Sequence, residues 1–137
     1  MIEKFRQRKV IGVELHAGAS KLAQQALKSS NISPKHAEFY NADVGIFLRR
    51  FPIESSDTVF LDPPRVGCEE QVLASLVASQ PQQILYLSCD PAALARDLDR
   101  LWLKSNKKYA LTQVQCFDMF PQTHHIETLV ELRRLTP

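Results

Sequence analysis

The run Thr58-Val59-Phe60-Leu61 is apolar and is cut off by Asp62-Pro63-Pro64. Proline has no N–H to give to a sheet ladder, so a strand here must end at Leu61. A second apolar run, Gln83-Ile84-Leu85-Tyr86-Leu87-Ser88, stops in the same way at Cys89-Asp90-Pro91. Two earlier strands are expected at Val10-Ile11-Gly12-Val13-Glu14 and Glu38-Phe39-Tyr40-Asn41-Ala42, each with an acid at or just past its end, Glu14 and Asp43. Between the strands the period changes to that of a helix. Residues 20–27 place Leu22, Ala23, Ala26 and Leu27 on one face, residues 44–50 form a short helix, and residues 69–78 align Val72, Leu73, Leu76 and Val77. Residues 92–103 align Leu94, Leu98, Leu101 and Trp102, while 109–117 and 126–133 are the last two strands, joined by a turn at 118–123. This alternation predicts an α/β protein whose sheet is mostly parallel, with an antiparallel C-terminal pair.

Composition narrows the class. The 137 residues are 45% hydrophobic and 23% charged, which suits one globular domain spanning 1–137. No apolar run approaches the roughly 18 residues of a membrane span, so no membrane partner is expected. A net charge of +2 is low for a protein that coats a nucleic-acid duplex, though local basic groups occur at Arg6, Arg8 and Lys9 and at Arg96, Arg100, Lys104, Lys107 and Lys108. The start, MIEKFRQRK, lacks the apolar stretch of a secretory signal. Three cysteines, at 68, 89 and 116, form neither a disulfide framework nor a metal box, so a reducing, cytoplasmic setting is expected.

Polar residues recur at the carboxyl ends of the apolar strands, where open α/β sheets build their ligand crevices. Glu14 can accept hydrogen bonds from a ribose diol or simply end a strand in solvent. Asp43 can accept from an adenine amino group or cap the helix that follows it. The prolines after Asp62 fix where Asp62 and Arg65 point, as a rigid site or as a tight turn. Cys89 precedes an expected helix, whose N-terminus favours the thiolate, while Asp90 opposes it by like charge; the alternative is a small buried hydrophobe. Cys116 is expected in the core and Cys68 packed. Glu127 becomes available as a base if the last strands fold back beside the central ones, and is otherwise a solvated edge carboxylate. Phe120 and Tyr86 are either base-stacking or core aromatics. His124 and His125 are adjacent rather than four apart, so no metal is assigned.

Together, VIGVE at 10–14, LDPPRVGC at 61–68, YLSCDPAALARDL at 86–98 and DMFPQTHHIETLVEL at 118–132 resemble the S-adenosylmethionine-dependent RNA 5-methyluridine (uracil-C5) methyltransferases. The resemblance runs from Val10 to Leu135, and the last three motifs in this order carry it. It implies a Rossmann-like class I methyltransferase sheet, S-adenosyl-L-methionine as cofactor, and rRNA or tRNA as partner. It implies Glu14 at the cofactor ribose, Asp43 by its adenine, and Asp62 in the cofactor and substrate pocket. Cys89 matches the nucleophile and Glu127 the general base, while Arg65, Asp90 and Arg96 fall on the substrate side. Asp90 departs from the family's usual Asn. The family's first strand and Gly-rich loop have no counterpart before VIGVE, so an N-terminally truncated domain is expected. Its open strand edges at 10–14 and 58–61 would be covered by self-association or a partner chain. The alternatives are a non-catalytic RNA-binding or assembly remnant and, without a nucleophile elbow to support it, a thiol hydrolase.

Overall fold

The computed structural model describes residues 9–119, 121–123 and 126–135. The chain divides into two compact units, one ending at Phe51 and the other starting at Pro52.

In the first unit, β1 (Val10–Glu14) and β2 (Ala37–Asn41) pair in parallel, with Gly12 opposite Phe39. A side chain at Gly12 would run into the Phe39 ring, so the close approach of ring and backbone requires glycine there. Parallel neighbours need a crossover, supplied by α1 (Ala17–Ser29). His16 caps this helix, its Nδ1 accepting from the Ala19 N–H at 3.2 Å. The inward residue of α1 is Ser20, with Ala23 and Leu27 half-buried, whereas Leu22 is 67% exposed. The expected face was therefore rotated: Leu22 lies one position off the row 20, 23, 27 that packs inward. A second helix, α2 (Val44–Arg50), brings Phe47 against Tyr40 and Phe51, with ring centroids 5.0 and 4.8 Å apart.

The second unit is a four-stranded sheet in the order β3 (Thr58–Leu61), β4 (Gln83–Ser88), β6 (Glu127–Arg134), β5 (Tyr109–Phe117). β3 and β4 are parallel, and β6 runs antiparallel to both of its neighbours. Only the C-terminal strand is reversed, as the sequence pattern predicts. Helices α3 (Glu70–Ser79) and α4 (Pro91–Lys104) join the strands. The alternation of β4 buries Ile84, Tyr86 and Ser88, and that of β6 buries Thr128, Val130 and Leu132. Leu73 and Leu76 of α3 and Leu94 and Leu101 of α4 complete this core. Each such aliphatic side chain contributes about 1.5–3 kcal/mol by leaving water.

β5 is an edge strand, and this overturns one expectation. Cys116 is exposed rather than core, like every residue from 111 to 116, because β5 has β6 on one side and no neighbour on the other among the described residues. The ladder also slips between Leu111 and Gln113, where the Thr112 hydroxyl turns to the Glu131 backbone oxygen and carboxylate.

Candidate active site

The loop after β3 is fixed at both ends. Pro63 and Pro64 stiffen its start, leaving Asp62 exposed at the end of the strand. Its return is held by three hydrogen bonds: Gly67 N–H to Pro64 O (2.8 Å), Cys68 N–H to Asp97 Oδ2 (2.7 Å) and Arg96 Nη2 to Val66 O (2.6 Å). Gly67 has φ +89°, and a Cβ there would meet the Asp97 carboxylate and the Arg96 guanidinium. Asp97 itself is fully buried and also accepts from Tyr86 Oη at 2.8 Å and from Arg96 Nε at 3.0 Å.

The passage from β4 to α4 carries Cys89. Ser88, buried, spans it: the Ser88 hydroxyl donates to Asp90 O at 3.0 Å and accepts from Asp90 N–H at 3.1 Å. Asp90 then caps α4, Oδ1 accepting from Ala93 N–H at 2.9 Å, with Pro91 in the first turn. Its other carboxylate oxygen lies 3.9 Å from Arg65 Nε. Cys89 is thus a half-buried free thiol directly before the Asp90 cap of the 14-residue helix α4. Cys68 is its opposite: burial pushes that thiol up to about 11, with the Asp97 charge adding to the effect and a Tyr86 hydrogen bond only partly offsetting it.

Glu127 opens β6. Ser88 pairs with Thr128 at the last step of the β4–β6 ladder, and the residues flanking that pair are Cys89, just past β4, and Glu127, the first of β6. Glu127 is half-buried and faces away from the helical layer, sharing an apolar hollow with Phe60, Leu87, Phe117, Met119 and Leu129. A thiol and a carboxylate brought to the same end of a sheet are the pair of groups that can add to an electrophilic carbon and remove a proton.

In the first unit, Glu14 is exposed, and its Oε1 accepts from the His16 N–H at 2.6 Å. Asn41, which the sequence did not single out, donates from Nδ2 to Glu14 O at 2.9 Å and Leu15 O at 2.8 Å, shaping the turn that presents Glu14. Asp43 caps α2, Oδ1 accepting from Ile46 N–H at 2.7 Å. Each carboxylate is oriented by one backbone bond and retains acceptor capacity, the property a ribose diol or an adenine amino group requires. These two residues fit the nucleoside part of S-adenosylmethionine.

The basic residues beyond Cys89 have internal partners. Arg96 directs its guanidinium to Asp97 and Val66, and Arg100 lies 3.9 Å from Asp97. Lys104 pairs with Glu70, Lys107 sits 4.7 Å from the Trp102 ring centre, and Lys108 bonds Gln80. Tyr86 is buried and bonded to Asp97, so it is a core aromatic. Arg6, Arg8, Phe120, His124 and His125 lie outside the described residues. Among the described residues, no group of three His, Cys, Asp or Glu could hold a metal ion, and no helix is long and apolar enough to cross a membrane.

This arrangement of strands is that of S-adenosylmethionine-dependent methyltransferases. The tRNA (uracil-54, C5)-methyltransferase of Pyrococcus abyssi, solved with S-adenosyl-L-homocysteine, superposes with a TM-score of 0.75 at 29% identity, over 93% of this chain and 29% of that one. A methylase of Haemophilus influenzae, 20% identical, shares the fold with a TM-score of 0.64 over 93% of this chain and 73% of its own. The tRNA (uracil-5-)-methyltransferase family model matches residues 21–135, and the chain belongs to that family. An RNA methyltransferase of Bdellovibrio bacteriovorus is 44% identical over 133 residues, which are 95% of this chain and 33% of the relative. One of Thermotoga maritima is 40% identical over 130 residues, 93% of this chain and 28% of the relative. The chain therefore spans about a third of the length of these curated relatives.

Proposed function

We propose that residues 1–137 are part of a catalytic domain that methylates C5 of a uridine in tRNA or rRNA. The observation that carries this reading is the Ser88–Thr128 pair that ends the β4–β6 ladder, which Cys89 and Glu127 flank. Uracil C5 is a poor nucleophile until a thiolate adds to C6. The new S–C6 bond moves the electrons of the C5=C6 double bond onto C5 and the adjoining carbonyl. S-adenosylmethionine, when bound, would supply an electrophilic methyl group, which C5 accepts as the methyl–sulfonium bond breaks and a neutral thioether departs. Glu127 then takes the C5 proton, the double bond reforms, and the S–C6 bond breaks to return the Cys89 thiolate.

The remaining residues bind and orient. Glu14 and Asp43 hold the ribose and adenine of the cofactor, and Asp62 lies at the pocket for cofactor and base. Arg65, exposed beside Asp90, meets the RNA, while Arg96 supports the substrate side by anchoring the loop that bears Arg65. A target within a helix has to be flipped out to reach the thiol. Free cysteines fit a reducing, cytoplasmic setting. β3 has β4 as its one neighbour among the described residues, so its other edge can take a further strand, from the same protein or from a second copy.

Labelled S-adenosylmethionine and a uridine-containing RNA test the reading, with this chain and with a longer protein carrying it. Label recovered as 5-methyluridine, and lost on Cys89→Ala, is the expected result. Absence of transfer by the longer protein would reject the assignment.

A further inference from the structure

Asp97 lies within α4, between Arg96 and Leu98. Its side chain is wholly enclosed and ties together three elements of the second unit, the 62–68 loop, β4 and α4 itself. Oδ2 accepts from the backbone N–H of Cys68, at the end of the Arg65 loop, and from Tyr86 Oη on β4, three residues before Cys89. Oδ1 accepts from Arg96 on α4, which passes the connection on to Val66 O, the residue next to Arg65. Arg65 in turn lies 3.9 Å from Asp90 Oδ2.

A buried carboxylate is costly unless every donor around it is well placed, so this one fixes its donors in return. We propose that Asp97 is a positioning residue: it holds the 62–68 loop so that Arg65 stands against Asp90 and offsets that negative charge beside the Cys89 thiol. The charged groups that the register and the loop bring to this end of β4 are Asp90 on the Cys89 segment, Asp62 and Arg65 from the loop, and Glu127 at the start of β6. With the loop released, Arg65 drifts away and Asp90 is left to oppose the thiolate alone. The inference rests on Cys89 being the nucleophile, but its test needs neither RNA nor methyl donor, so failure of methyl transfer leaves it separately decidable.

The test is the rate of Cys89 alkylation by iodoacetamide across pH, read by peptide mass spectrometry on this chain. Asp97→Asn is expected to slow alkylation at pH 7.5 about threefold, equal to a midpoint roughly half a pH unit higher. Simple electrostatics gives the opposite sign, because removing an anion eases thiolate formation. Arg65→Gln is expected to act in the same direction, and in an Asp90→Asn background Asp97→Asn should lose its effect. Tyr86→Phe, which perturbs the same buried network without releasing the loop, should leave the midpoint unchanged. Where Asp97→Asn does not fold, Arg96→Lys keeps the charge but loses the fork to Val66 and Asp97, and should slow alkylation too. An unchanged or lowered midpoint in the folded variant overturns the proposal.

Discussion

Ser88 pairs with Thr128 at the last step of the β4–β6 ladder, with Cys89 following the one and Glu127 preceding the other. This brings the proposed nucleophile and the proposed base, far apart in sequence, to the same end of the ladder. The two residues serve different steps of the proposed reaction, and their variants should separate them. With 5-fluorouridine RNA and cofactor, the longer protein should form a covalent adduct stable in a denaturing gel, and Cys89→Ala should form none. With ordinary uridine RNA, Glu127→Gln should accumulate the methylated adduct that the parent protein resolves, with turnover down by about 10²–10⁴. Equal adduct levels in Glu127→Gln and the parent would remove Glu127 from the base role.

The three thiols should react in a fixed order. Cys116 is exposed and Cys89 half-buried, so both should be carbamidomethylated at pH 8. Cys68, buried and raised to about 11, stays protonated there and should be labelled only after unfolding. Peptide mapping before and after denaturant checks this.

Gly67→Ala should be destabilising out of proportion to one methyl group. The position has φ +89°, and the added carbon meets the Asp97 carboxylate and Arg96 guanidinium. A loss of about 1–3 kcal/mol is expected from urea unfolding, and the Cys68 amide should exchange with deuterium faster than in the parent.

Binding of S-adenosyl-L-homocysteine, measured by titration calorimetry on the longer protein, should depend on the Asn41 side chain, which bonds the backbone of the Glu14 turn. Glu14→Ala removes the proposed ribose acceptor and should abolish measurable binding. Asn41→Ala removes two hydrogen bonds that shape the turn presenting Glu14, and should weaken binding about three- to tenfold. Parent-like affinity in Asn41→Ala would confine that side chain to a local structural role.

The strands were largely legible because their ends are chemically marked. β3 and β4 stop at Asp62-Pro63-Pro64 and Cys89-Asp90-Pro91, and their observed limits match the sequence pattern. α1 starts earlier than its apolar period, at Ala17, because His16 caps it through Nδ1, a weaker sequence signal than Ser or Asp. Cys116 and Leu22 were misread for a shared reason. Periodicity tells which residues share a face, whereas burial depends on which element covers that face, and that follows from strand order. Asp97 had a signal in the sequence that charge concealed: it sits three after Leu94 and four before Leu101, on the buried row of α4. Asn41 had none, since its partners are backbone oxygens brought near only when β1 and β2 pair.

The outermost strand sets how this protein must be handled. From Tyr109 to Phe117 it contains no charged side chain, and residues 111 to 116 are open to solvent. Such a ribbon offers unused amide and carbonyl groups to any copy that drifts alongside, and no like-charge repulsion keeps that copy off. Among the described residues, the slip at Thr112 interrupts a flush fit. Edge-on clumping is the expected liability of concentrated stocks of this chain, and a lysine placed along this border is the natural remedy.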